Sequence, residues 1–144
     1  MGDPASSLDS VGDPEAFMDG IETLIEADFE KITGWFDHGY FQGIDVFNTP
    51  FPTERGHVTI KTSQVSVFLY RLDALHRLQE PLSLFCGCPL SVKVQNNHPV
   101  PDIYDRLMRQ RFSRSLVDKI YGSRYCQHFF TASEIGTLSD RFTR

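Results

Sequence analysis

The chain has 144 residues, a hydrophobic fraction of 40%, a charged fraction of 23% and a formal net charge of −5. That length suffices for one hydrophobic core without disulfide staples, and the composition excludes wholesale disorder. No run approaches the roughly 18 to 20 apolar residues of a membrane span, and three cysteines do not make a secreted disulfide framework.

The N-terminal stretch has neither the basic start nor the apolar run of a secretory signal. Asp3 and Pro4 after Met1 and Gly2, with Ser7 one place late, do not fit the myristoylation pattern. An intracellular chain, cytoplasmic or nuclear, with no membrane span is therefore expected. The charge is unevenly spread: residues 1–45 hold eleven Asp and Glu against Lys31 alone, a balance of −10, while residues 46–100 carry +2 and residues 101–144 carry +3. Such a front repels nucleic acid and attracts basic partners, including the rear of this chain or of another copy.

In chain order, residues 1–12 are polar and breaker-rich and read as a disordered tail, followed by one domain over 13–144. Asp13, Pro14 and Glu15 open a helix: a capping carboxylate, a proline where no N–H is missed, and an acid near the positive end of the dipole. Phe17, Ile21, Leu24, Ile25, Phe29 and Ile32 recur every three or four residues as one apolar stripe, and Gly34 stops the helix. Residues 35–52 follow neither period and read as an ordered loop whose rings pack on the core or form a docking surface.

Residues 57–62 and 64–70 alternate and predict two strands. Leu72, Leu75, His76 and Leu78 predict a short helix ended by Pro81, after which residues 82–86 and 90–94 read as a hairpin around Gly87, Cys88 and Pro89. A second long helix opens at Asp102, with Ile103, Leu107, Phe112, Leu116 and Ile120 inward, and closes at Gly122. Residues 125–131 read as a last strand and Ser133 with Glu134 as the start of a short helix. The expected fold class is α+β: a mainly antiparallel sheet of about four to five strands, two longer and two short helices, in a single domain.

Three thiols and an imidazole (Cys86, Cys88, Cys126 and His128) have the stoichiometry of a tetrahedral zinc site, with His98 as a substitute ligand. Buried thiols in apolar runs are the plainer reading, so no cofactor is expected, with zinc as the alternative. A cysteine hydrolase would pair Cys88 or Cys126 with His57, His76, His98 or His128, and no spacing singles out a pair. No phosphate-binding glycine loop and no His-Glu-x-x-His pattern occurs. Arg106, Arg109, Arg111 and Arg114, continued by Lys119 and Arg124, lie mostly off the stripe of the second helix and suit either nucleic acid or the acidic helix.

The sequence thus points to a non-enzymatic protein-interaction or assembly protein. Its expected contacts are an acidic and aromatic front (Glu22, Glu26, Glu30, Trp35, Phe36, Tyr40, Phe41) and an arginine-rich helix (Arg106, Arg109, Arg111, Arg114). The partner is a protein, basic in one version and a second copy of the chain in another. The alternatives are a zinc-stabilised nucleic-acid-binding regulator and a cysteine hydrolase.

Overall fold

The computed structural model of the chain describes residues 14–37, 43–93, 105 and 108–144. Helix α1 spans Pro14–Gly34, with proline where its missing N–H costs nothing. Its apolar positions do not form one buried stripe. Ile21, Ile25 and Phe29 are partly covered, whereas Phe17, Leu24 and Ile32 stay exposed.

Strands β1 (His57–Lys61) and β2 (Ser66–Tyr70) pair antiparallel, with Thr59 opposite Phe68. The Thr62 hydroxyl closes their turn by accepting from the N–H groups of Gln64 (3.2 Å) and Val65 (3.0 Å). Val58, Ile60, Val67 and Leu69 face inward and pack on a core of Ile44, Val46, Phe51 and Phe129, which Phe36, Phe47, Tyr125 and Phe130 extend. Rings of the 35–52 loop therefore do pack on the core, and Asp45 shapes that loop by accepting from the Asn48 N–H at 3.1 Å.

Gly56 roots the hairpin. Its φ of 72° suits glycine, and a Cβ there would lie 2.5 Å from the Ala74 Cβ. Ala74 belongs to a 3-10 helix, Leu72–Arg77, which leads through the fully buried Leu78 into α2, Gln79–Cys86.

Among the described residues the sheet is this one antiparallel pair, so the expected sheet of four to five strands is corrected. Residues 82–86 are helical. Pro81 sits in the first turn of α2, where N–H groups have no intrahelical acceptor, so it does not end a helix there. Gly87, with φ of 70°, is the left-handed cap of α2 and not a hairpin turn. The chain beyond runs back along α2, the Leu90 N–H donating to Ser83 Oγ (2.9 Å) and the Val92 N–H to Gln79 Oε1 (3.1 Å). Over residues 90–93 those bonds replace the ladder of the strand predicted over 90–94, whose last residue lies outside the described residues.

Three capped helices follow in the described residues 113–144: α3 (Arg114–Tyr121), α4 (Arg124–Phe129) and α5 (Ala132–Phe142). Ser113, Ser123 and Thr131 each accept a hydrogen bond from the backbone N–H three residues on, and Glu134 completes a capping box with Thr131. Of the strand predicted over 125–131, residues 125–129 are helical and Phe130 and Thr131 are extended caps: the short apolar run suits either element, and the Ser123 cap decides. The helix predicted from Asp102 is interrupted, because Ser113 starts α3 anew after non-helical Gln110, Arg111 and Phe112. Asp105 and Met108 are helical, and the remainder of 101–107 lies outside the described residues. Phe112 donates to the Phe142 carbonyl (2.7 Å) and accepts from the Arg144 N–H (2.9 Å), tying the end of the chain to the entry of α3.

Candidate interaction surfaces

The acids of α1 at positions 22, 26 and 30 share one row, one helical turn apart. That row meets the basic rear of the same chain. Glu22 accepts from the Ser113 N–H (2.7 Å), the Ser113 hydroxyl and Arg144 Nη2 (2.7 Å). Lys119 Nζ donates to Glu26 and to Glu30, the latter at 2.7 Å. Burial alone would raise the Glu22 carboxyl, but the Ser113 and Arg144 bonds outweigh it and hold the group below its ordinary 4.5. Hydrogen bonds first to Glu26 and then to Glu30 raise the Lys119 ammonium. The three front acids are thus engaged within the chain.

Of the aromatic front, Phe36 lies in the core against Phe47 (5.8 Å), Tyr125 (6.0 Å) and Phe129 (5.8 Å). Trp35 is half exposed beside it, and Tyr40 and Phe41 lie outside the described residues. The arginines do not share one helical face. Arg111 donates to the Thr143 carbonyl (3.1 Å), Arg114 lies 3.9 Å from Asp118 on the exposed side of α3, Arg109 is exposed before the Ser113 cap, and Arg106 lies outside the described residues.

A tighter charge cluster went unnoticed in the sequence. Arg71 bonds Asp73 through Nε (2.9 Å), Glu134 through Nη2 (2.9 Å) and the Phe129 carbonyl through Nη1 (3.3 Å), with its guanidinium 4.4 Å from the Phe130 ring centre. It joins the end of β2 to the α4–α5 corner. The Arg71 guanidinium, beside hydrogen bonds from Thr131, holds the Glu134 carboxyl at about 2 despite burial, and Asp73 first, then Glu134, raise Arg71. The only local hint was Arg71-x-Asp73; the Glu134 partner is 63 positions away.

Cys86 and Cys88 are exposed near the end of α2, whereas Cys126 is buried in α4. Burial pushes the Cys126 thiol up, away from the thiolate a nucleophile needs. His128 is enclosed by Phe47 (5.5 Å), Phe51 (6.4 Å) and Phe129 (4.8 Å). Burial lowers its imidazole, opposed by hydrogen bonding at the Val46 and Thr49 backbone, and its Nε2 is buried with no hydrogen-bond partner among the described residues. The structure does not assemble Cys86, Cys88, Cys126 and His128: among the described residues no three His, Cys, Asp or Glu side chains group in a way that could hold a metal ion.

Three large apolar side chains of α1 remain open. Phe17, Leu24 and Ile32 are 68%, 67% and 63% exposed. They fall on one side of the helix, next to the half-covered Ile21, because the body engages the flank formed by Ile25, Phe29 and the acid row. Among the described residues no helix is long and apolar enough to cross a membrane. No family model, no curated protein and no solved structure matches this chain.

Proposed function

We propose that the chain is a non-enzymatic protein-interaction module that takes a basic amphipathic helix of a partner protein along α1. The exposed apolar row Phe17, Leu24 and Ile32 carries this reading. Large side chains left open in line on one long helix are a recurring mark of helix-in-groove recognition. The charge of the partner follows from α1 as a whole, whose six acids stand against Lys31 alone, so that a second α1 would meet like charge and a Lys-rich helix opposite charge.

Trp35, the one tryptophan of the chain, lies just past the end of α1 and reports on contact there. Titration with an 18-residue Leu/Lys amphipathic peptide is expected to shift its emission to the blue and to saturate. Leu24→Asp should weaken binding at least tenfold, and a Leu/Glu peptide of equal apolar content should not bind. No saturable change with the basic peptide, or equal affinity for wild type and Leu24→Asp, would overturn the reading.

A further inference from the structure

A second surface of opposite character lies on the far face of the hairpin. Antiparallel pairs alternate between residues that exchange backbone hydrogen bonds and residues that do not. The bonds from the Thr62 N–H to the Val65 carbonyl (2.8 Å) and from the Arg71 N–H to the Gly56 carbonyl (2.9 Å) fix that alternation. The N–H and C=O groups of His57, Thr59 and Lys61 therefore point away from β2, and those of Ser66, Phe68 and Tyr70 away from β1. Among the described residues the two strands form the whole sheet, and none of these residues pairs with either edge.

These same residues send their side chains to the face opposite the core, where all but Tyr70 line a groove of about 570 Å³ against α2. The floor is aromatic: the His57 ring stacks on Phe68 (5.1 Å, 16° between planes), and Phe68 meets Phe85 of α2 (5.3 Å). His57 Nδ1 lies 3.2 Å from the Arg55 carbonyl, which can only accept, so this nitrogen donates. Leu84, 77% exposed, stands on the α2 wall. Arg55 and Lys61 border the groove at the two ends of β1, and neither has an ion-pair partner among the described residues.

We propose that this groove takes an extended segment of a partner protein, acidic at both ends and apolar at alternate positions between, which adds as a third strand to an edge of the hairpin. The open edge supplies the main-chain bonds, Phe68, Leu84 and Phe85 receive the apolar side chains, and Arg55 and Lys61 receive the terminal carboxylates. A nucleic-acid strand fits less well. Glu80 sets a carboxylate into the wall, the whole chain is at −5, and a phosphodiester backbone has no N–H with which to continue a ladder.

The test uses the full chain and a fluorescein-labelled eight-residue peptide with two acids at each end and Val-Thr-Phe-Thr between. Fluorescence anisotropy should show saturable binding that falls at least tenfold with Arg55→Glu/Lys61→Glu, and independently with Leu84→Asp at a position too exposed to unfold α2. Backbone N-methylation at alternate peptide residues should abolish binding, and the peptide should slow amide exchange at His57, Thr59 and Lys61 or at Ser66, Phe68 and Tyr70. Overturning results are no saturable binding, equal binding by the N-methylated peptide, or tighter binding of an oligo-dT strand with the same sensitivity to Arg55→Glu/Lys61→Glu, which would assign the groove to single-stranded nucleic acid. The α1 variant Leu24→Asp should leave peptide affinity unchanged, separating this surface from the one along α1.

Discussion

Replacing Glu134 by Gln tests whether the Arg71 cluster holds the hairpin to the helical part of the molecule. The Glu134 carboxyl stands at about 2 against an ordinary 4.5, for which Arg71 is the first cause. Taken in full, a depression of that size corresponds to about 3 kcal/mol favouring the ionised, folded form. The Glu134 side chain is 39% exposed, so solvent screening reduces this to about 1 to 2 kcal/mol. Gln keeps one oxygen for the Thr131 cap, which confines the loss mainly to charge. In a chain of this length the expected fall in Tm at pH 7 is about 4 to 8 °C. The pH dependence is the stricter criterion. A carboxyl with a depressed folded value stabilises above its unfolded value and loses that stability as pH falls from 4.5 toward 2. Urea denaturation from pH 7 down to pH 3 should therefore show wild type and Glu134→Gln converging below pH 4.5. Parallel curves, or no loss at pH 7, would refute the assignment of this stability to the Arg71 pair.

Gly56→Ala combines a positive φ with a Cβ overlapping Ala74, so denaturant titration should show a loss of about 2 to 4 kcal/mol. Gly20→Ala, in α1 with no atom within 4 Å of the added methyl, should instead gain about 0.5 to 1 kcal/mol in the same assay. His128 is neutral in the folded chain at a pH where the unfolded chain protonates, so stability should decline as pH drops below 6.5. His128→Phe, which preserves an aromatic ring beside Phe47 and Phe51, should flatten that slope, and an unchanged slope would show that other groups cause it.

Local order was legible where one pattern had one solution. The Pro14 start and Gly34 stop bounded α1, alternation through Val58, Ile60, Val67 and Leu69 gave the two strands though not their pairing, and Gly122 closed α3. The failures share a cause. Residues 82–86 and 125–129 are apolar runs too short for periodicity to separate strand from helix, and caps decide between the two. The Ser123 cap and the Thr131-x-x-Glu134 box were present in the residues, and weighing them above apolar content would have yielded α4 and α5. The candidate surfaces were less accessible. The acid row 22, 26 and 30 was visible, but which flank of α1 would be covered depended on Ser113, Lys119 and Arg144, far along the chain. The openness of the hairpin edges followed only once residues 90–93 were bonded to α2 and not to a strand.

The seam between α1 and α3 also sets a timetable. Glu22 finds Ser113 after 91 positions and Arg144 after 122, and Glu30 finds Lys119 after 89. At about 5 to 20 residues per second of synthesis, α1 waits roughly 5 to 20 s before the residues that anchor it exist. Throughout that interval Glu22, Glu26 and Glu30 lack the partners they have in the folded chain. A basic segment that reached the acid row in that interval would compete with Lys119 and Ser113 for Glu22, Glu26 and Glu30, whereas the apolar row stays exposed after they arrive.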